Sequence, residues 1–172
     1  MKFSPKTKAA TVTSILTIFF AGVLVVEKID LLDALPFILF YVMLLLHTYY
    51  SIRNFSEIPY EDVKTLFVDG VLVCFYVIMV LCMGDPVFFC ILLSTFFVLA
   101  ALKYVILLGH TEYVSSLKRK IIIDAMGAIL GLVTLFVMYA GYVTVGWWFL
   151  VSVYLIATVY CFLISPLYTL ER

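Results

Sequence analysis

The chain has 172 residues, 66% of them hydrophobic and 13% charged, and its eleven Lys and Arg balance eleven Asp and Glu. Soluble domains run at about 45–50% apolar and about 25% charged, and a fold of this size has too much surface per unit volume to hide such apolar content from water. Together with a mean hydropathy of +1.20, these values exclude a soluble enzyme, a nucleic-acid binder and a secreted disulfide scaffold. They leave an all-α integral membrane protein.

A bilayer core about 30 Å thick needs about 20 apolar residues of helix to cross it. Six stretches meet that requirement: about 9–26, 34–52, 63–83, 86–108, 121–142 and 147–168. They predict one polytopic domain over residues 1–172, with six transmembrane helices arranged as three hairpins. Helices are required, because an unpaired backbone group in lipid costs several kcal/mol, and the runs lack the alternating polar residues of a β-barrel.

The first span follows Lys2, Lys6 and Lys8, but its apolar run is long for a signal peptide. Leu24-Val25-Val26-Glu27 offers no small-x-small cleavage site, so the segment reads as retained. Asp33 and Pro36 blur the start of the second span. Pro59, Glu61 and Asp62 give the third an acidic, proline-led entry suited to the helix dipole. Asp85-Pro86 supplies the fourth with an N-cap and a first-turn proline. Ser115 and Ser116 stand where the fifth needs a cap, and Trp147-Trp148 open the sixth as interfacial aromatics. Tyr49, Tyr50, Tyr60 and Tyr113 read as belt residues of the same kind.

Basic residues mark the cytoplasmic side. With the N-terminus inside, the inner segments hold Lys2, Lys6, Lys8, Arg53, Lys64, Lys118, Arg119, Lys120 and Arg172, and the outer segments hold Lys28 alone. The expectation is a multi-pass protein of the plasma or inner membrane with both termini cytoplasmic and almost no ectodomain. The sequon Asn54-Phe55-Ser56 then faces the cytoplasm and carries no glycan.

A parallel internal repeat is one reading of two similar segments. Leu44 to Tyr50 reads LLLHTYY and Leu107 to Tyr113 reads LLGHTEY, and together they contain both histidines of the chain. Each precedes a charged loop and then a span with an early acid, Asp69 or Asp124. Chance similarity between leucine-rich segments is the other reading.

Five ionisable residues fall inside or at the edge of spans: His47, Asp69, Lys103, His110 and Asp124. Such groups are costly in lipid and mark ion or proton pathways when they face protein. They are expected to form a polar layer near the cytoplasmic side, with snorkelling and inter-helix hydrogen bonding as the purely structural reading. Asp124, Gly127 and Gly131 lie at i, i+3 and i+7, so the carboxylate shares a face with a GxxxG pair that admits a neighbouring helix. Cys74, Cys82, Cys90 and Cys161 have no metal-ligand spacing, although Cys82 and Cys90 flank a turn across which a disulfide is possible.

Signatures of enzymes, metal sites and cofactor sites are not found in the sequence, and none is expected in the protein. Two functions remain. The first is an oligomeric channel or transporter for an ion or small solute, using the polar layer. The second is a non-catalytic membrane anchor or sensor, docking a partner protein or lipid headgroups through Arg53, Lys118, Arg119 and Lys120.

Overall fold

The computed structural model describes residues 4–28, 30–55 and 63–168, with the side chains of 63 and 64 outside that set. Lys2, Ser56, Pro59, Tyr60, Glu61, Asp62, Arg172 and the side chain of Lys64 therefore lie outside the described residues.

The described chain contains six helices: α1 (Pro5–Val26), α2 (Leu35–Phe55), α3 (Val63–Leu81), α4 (Pro86–Leu108), α5 (Val114–Tyr139) and α6 (Val143–Val159). A wide π turn, Tyr160–Ile164, continues α6. Helices α1, α2, α4, α5 and α6 with its extension are long and apolar enough to cross a membrane, which fits a multi-pass membrane protein. Helix α3 is apolar but shorter over its described residues, Thr65–Leu81.

Capping sets the start of α4, where the hydropathy pattern placed it, and of α1, which begins four residues before the expected 9. The Asp85 side chain accepts from the Phe88 amide at 3.0 Å, and Pro86 opens α4. Ser4 does the same for α1, accepting from Thr7 N at 3.2 Å ahead of Pro5.

The fifth and sixth helices depart from the expected boundaries. Helix α5 starts at Val114, seven residues before the expected 121, so Ser115 and Ser116 lie within its first turn and do not cap it. An apolar-run count starts only where the charges end, but Lys118, Arg119 and Lys120 are good helix formers. Leu117, Lys120 and Asp124, at i, i+3 and i+7, turn one buried face inward. Helix α6 starts four residues early, at Val143, and the chain reverses through Ala140, Gly141 and Tyr142. Gly141 has φ 93°, a left-handed conformation that glycine adopts without a Cβ penalty. Pro166, which has no N–H to continue a helix, ends the last one.

The helices pack in cyclic order, α1 on α2, α2 on α6, α6 on α5, α5 on α4, α4 on α3, and α3 back on α1. The ring closes within one chain. Its closest contact is between α4 and α5, where a Cβ built on Gly127 would stand 2.9 Å from the Phe97 ring, and one on Gly131 would meet the Ser94 hydroxyl. Phe37, Phe40, Tyr41, Phe89, Phe97 and Tyr154 fill much of the interior, with rings from α2, α4 and α6 in stacked, tilted or edge-on contact at 4.9–6.1 Å. The four cysteines are free thiols, so Cys82 and Cys90 are not bridged; Cys90 instead donates to the Met138 sulfur at 3.5 Å.

The two segments of the suggested repeat occupy unlike surroundings. His47 is buried on α2, whereas His110 is exposed in the turn beyond α4. Asp124 is buried beside Lys120, whereas Asp69 is partly exposed and pairs with Lys103 of another helix.

Candidate functional site: a polar layer inside the helix ring

Tyr41, Thr48 and Ser51 lie at i, i+7 and i+10 of α2, so the 3.6-residue period sets all three on one side of that helix. Two of them meet phenols from other helices. The Thr48 hydroxyl bonds the Tyr76 hydroxyl of α3, and Ser51 bonds the Tyr104 hydroxyl of α4. Tyr41 is fully buried, and its hydroxyl has no hydrogen-bond partner among the described residues.

Tyr104 stands at the centre of the layer. Its ring lies beneath two ammonium groups, Lys103 Nζ at 5.7 Å and Lys120 Nζ at 5.3 Å from its centroid, within cation–π range. Each lysine also holds a carboxylate. Lys120 donates to Oδ1 of Asp124 one helical turn along α5, and Lys103 donates to Oδ1 of Asp69 on α3 at 2.5 Å. The two pairs differ in exposure, for the Asp124 side chain is 1% exposed and that of Asp69 44%. Asp124 lies ten residues into α5, about 15 Å along its axis. Its second oxygen, Oδ2, is buried without a partner among the described residues.

His47 organises the neighbouring seam between α2 and α6. Its Nε2 lies 3.0 Å from the Thr158 hydroxyl, and its Nδ1 lies 2.7 Å from the Tyr168 hydroxyl. Thr158 has one proton and gives it to the Tyr154 carbonyl at 2.7 Å. The Thr158 oxygen must therefore accept from His47, so a neutral imidazole carries its hydrogen on Nε2 and accepts from Tyr168 at Nδ1.

The same contacts fold the chain back after the π turn. Asn54 Nδ2 donates to the Tyr168 carbonyl at 2.5 Å, and Arg119 donates to the Ser165 carbonyl at 2.9 Å. His47→Leu is expected to orphan the buried Tyr168 hydroxyl at a cost of about 1–3 kcal/mol. It should also loosen residues 165–168, visible as faster amide exchange or proteolysis there while α4 and α5 stay protected.

Two open cavities border the filled interior. One, of about 300 Å³, lies beside Arg53, Asn54, Cys161, Phe162 and Tyr168. The other, of about 500 Å³, lies at the opposite end of the bundle beside Glu27, Asp33, Phe37, Met83 and Trp147.

Of the residues singled out in the sequence, Asp69, Lys103 and Asp124 meet around Tyr104, with His47 on the adjoining seam. His110 lies outside this layer, because α4 ends at Leu108 and the chain turns there. The basic cluster is divided by the helical period. Lys118 is exposed, Arg119 is bound to Ser165, and Lys120 is buried on Asp124. Arg53 is half-buried over the Tyr50 ring at 5.9 Å. Tyr50 itself packs on Phe162 at 4.9 Å.

The residues that sequence reading missed are Tyr41, Thr48, Ser51, Tyr76, Tyr104, Thr158 and Tyr168. The spacing of Tyr41, Thr48 and Ser51 was a usable signal on α2. Nothing local marks which phenols of this tyrosine-rich chain turn inward. Comparison with protein-family models, curated proteins and solved structures finds no match.

Proposed function

We propose that this is a multi-pass membrane protein in which all six helices, the shorter α3 included, cross the bilayer as three hairpins with both termini cytoplasmic. On this reading it resides in a plasma or inner membrane and moves an ion or small solute through the interior of its helix ring. One observation carries the proposal: Lys120 and Asp124 form a charged pair inside a bundle of apolar helices, one carboxylate oxygen unpaired among the described residues. A purely structural role is a poor account of that arrangement. A buried ion pair with unmet hydrogen bonds is often no more stable than apolar residues of the same volume.

The architecture around the pair suits passage. The cavity beside Glu27 and Asp33 offers two carboxylates at one end, and the charged layer lies in the other half of the bundle. The Phe20, Phe37 and Tyr41 rings pack on one another at 4.4–6.0 Å beyond that cavity, so on this reading transport requires these rings to move. A homo-oligomer, expected for so small a chain, need add nothing to this interior, since the ring closes within one copy.

The test is flux in proteoliposomes read with dyes for protons, sodium, potassium and chloride. With flux normalised to the folded, monodisperse protein recovered for each variant, Asp124→Asn is expected to abolish the signal and Asp69→Asn to reduce it several-fold. Unchanged flux in both variants would end the proposal. The docking reading retains exposed Lys118 as its surface cation. It predicts a stoichiometric partner that is lost on Lys118→Glu.

A further inference from the structure

Asp124 has a carboxylate with its two oxygens in unlike states: Oδ1 is held by Lys120, and Oδ2 is buried without a partner among the described residues. A buried oxygen of a charged group that makes no hydrogen bond is expensive, so this atom calls for an occupant. A hard metal ion fits poorly, because such ions gather six or more oxygen ligands, whereas Asp124 offers one oxygen without a partner among the described residues, beside the ammonium of Lys120. An anion fits worse, since it would face the carboxylate. A proton needs one oxygen and little volume.

We infer that Asp124 is an exchangeable proton site, with Oδ2 as the atom that takes and releases the proton. This deepens the transport reading and rests on it for its role, by making the proton the driving or transported ion. In the binding step an O–H bond forms at Oδ2, the hydronium that delivers the proton reverts to water, and Lys120 remains an ammonium. The layer gains one positive charge.

Tyr104 provides for that charge. Its ring already lies 5.3 Å from Lys120 Nζ, and the bond from Ser51 to its hydroxyl holds it there. The ammonium thus keeps an attractive partner when the carboxylate is neutralised.

The groups facing this site come from every wall of the layer. Lys103 and Tyr104 of α4 and Tyr76 of α3 act on Asp124, and His47 of α2 acts on its partner Lys120; Asp69 joins through Lys103, and Tyr41 through Tyr76. Tyr154 and Cys161 approach from α6 and its extension, and Tyr168 from the chain that follows. The set holds an imidazole, phenols, a thiol and a second carboxylate besides Asp124, so the readout must identify a carboxyl.

Infrared difference spectroscopy of the full chain in liposomes, titrated with pH, meets that need through the carbonyl stretch of a protonated carboxyl group. The expected result is a titrating band that shifts in heavy water, is lost in Asp124→Asn, persists in Asp69→Asn and moves in Asp124→Glu. Should Asp124→Asn fail to fold, Asp124→Glu and carbon-13 labelling of the aspartates in the native chain still assign the band to an aspartyl group at this site. Absence of any such band while the protein stays folded, or its survival in folded Asp124→Asn, overturns the inference.

Flux separates the two proposals. A titrating Asp124 band in a protein that moves nothing sustains the proton site and removes the transport reading. Flux that ignores a pH gradient, with no carboxyl band, overturns the proton site and leaves transport standing.

Discussion

Lys120→Met is expected to destabilise the folded protein by about 3–5 kcal/mol, the usual penalty for stripping one partner from a buried ion pair. Both Asp124 oxygens would then lie unpaired in a side chain that is 1% exposed. Adding Asp124→Leu in the same chain is expected to restore most of the loss, because an apolar pair of similar volume replaces the pair without leaving a lone charge. The measurement is a denaturant midpoint in detergent at neutral pH, followed by circular dichroism. A loss under about 1 kcal/mol in the single variant would make this pair no stronger than a surface salt bridge and would contradict its burial.

Gly131→Ala should be the costliest small substitution on the α4–α5 contact, at about 1–3 kcal/mol for overpacking. The added Cβ would land on the Ser94 hydroxyl, which cannot swing aside without giving up its 2.9 Å bond to the Cys90 carbonyl. Ser94→Ala in the same chain removes the obstructing oxygen, although the added Cβ still lies 3.3 Å from the Ser94 amide nitrogen. Most of the loss should therefore return. Gly22→Ala on α1 is the control, with nothing within 4 Å of its added Cβ. It should be neutral, or stabilising by up to about 1 kcal/mol through helix propensity. Equal losses at Gly22 and Gly131 would show that glycine acts through the helix backbone alone and not through close approach of α4.

These two experiments concern features of differing legibility. The glycine face could be read from i, i+3, i+7 spacing, because a helix converts sequence separation into angle without reference to its neighbours. The Lys120–Asp124 pair is also a local i, i+4 matter, yet it was obscured. Lys120 was counted with Lys118 and Arg119 as a loop cluster, since hydropathy ends a span at the first charge. Once α5 is extended to Val114, the three basic residues point in three directions and only Lys118 remains a surface cation. The contrast between His47 and His110 was not legible, because matching heptapeptides say nothing about what packs against them.

The sequence by itself determined the class of protein, the start of every helix to within seven residues, and the glycine face. Each follows from local quantities: apolar run length against bilayer thickness, capping chemistry at Asp85 and Pro86, and the helical period. Only the tertiary structure decided which polar groups meet. Tyr104 beneath Lys120, Ser51 on its hydroxyl, and Tyr168 folded back onto His47 join residues of different segments, separated by as many as 121 positions in the chain. Those contacts depend on the cyclic order of six helices. Lipid exerts no hydrophobic pull that would sort one apolar face from another, so that order is set by close packing at small residues and by inter-helix hydrogen bonds.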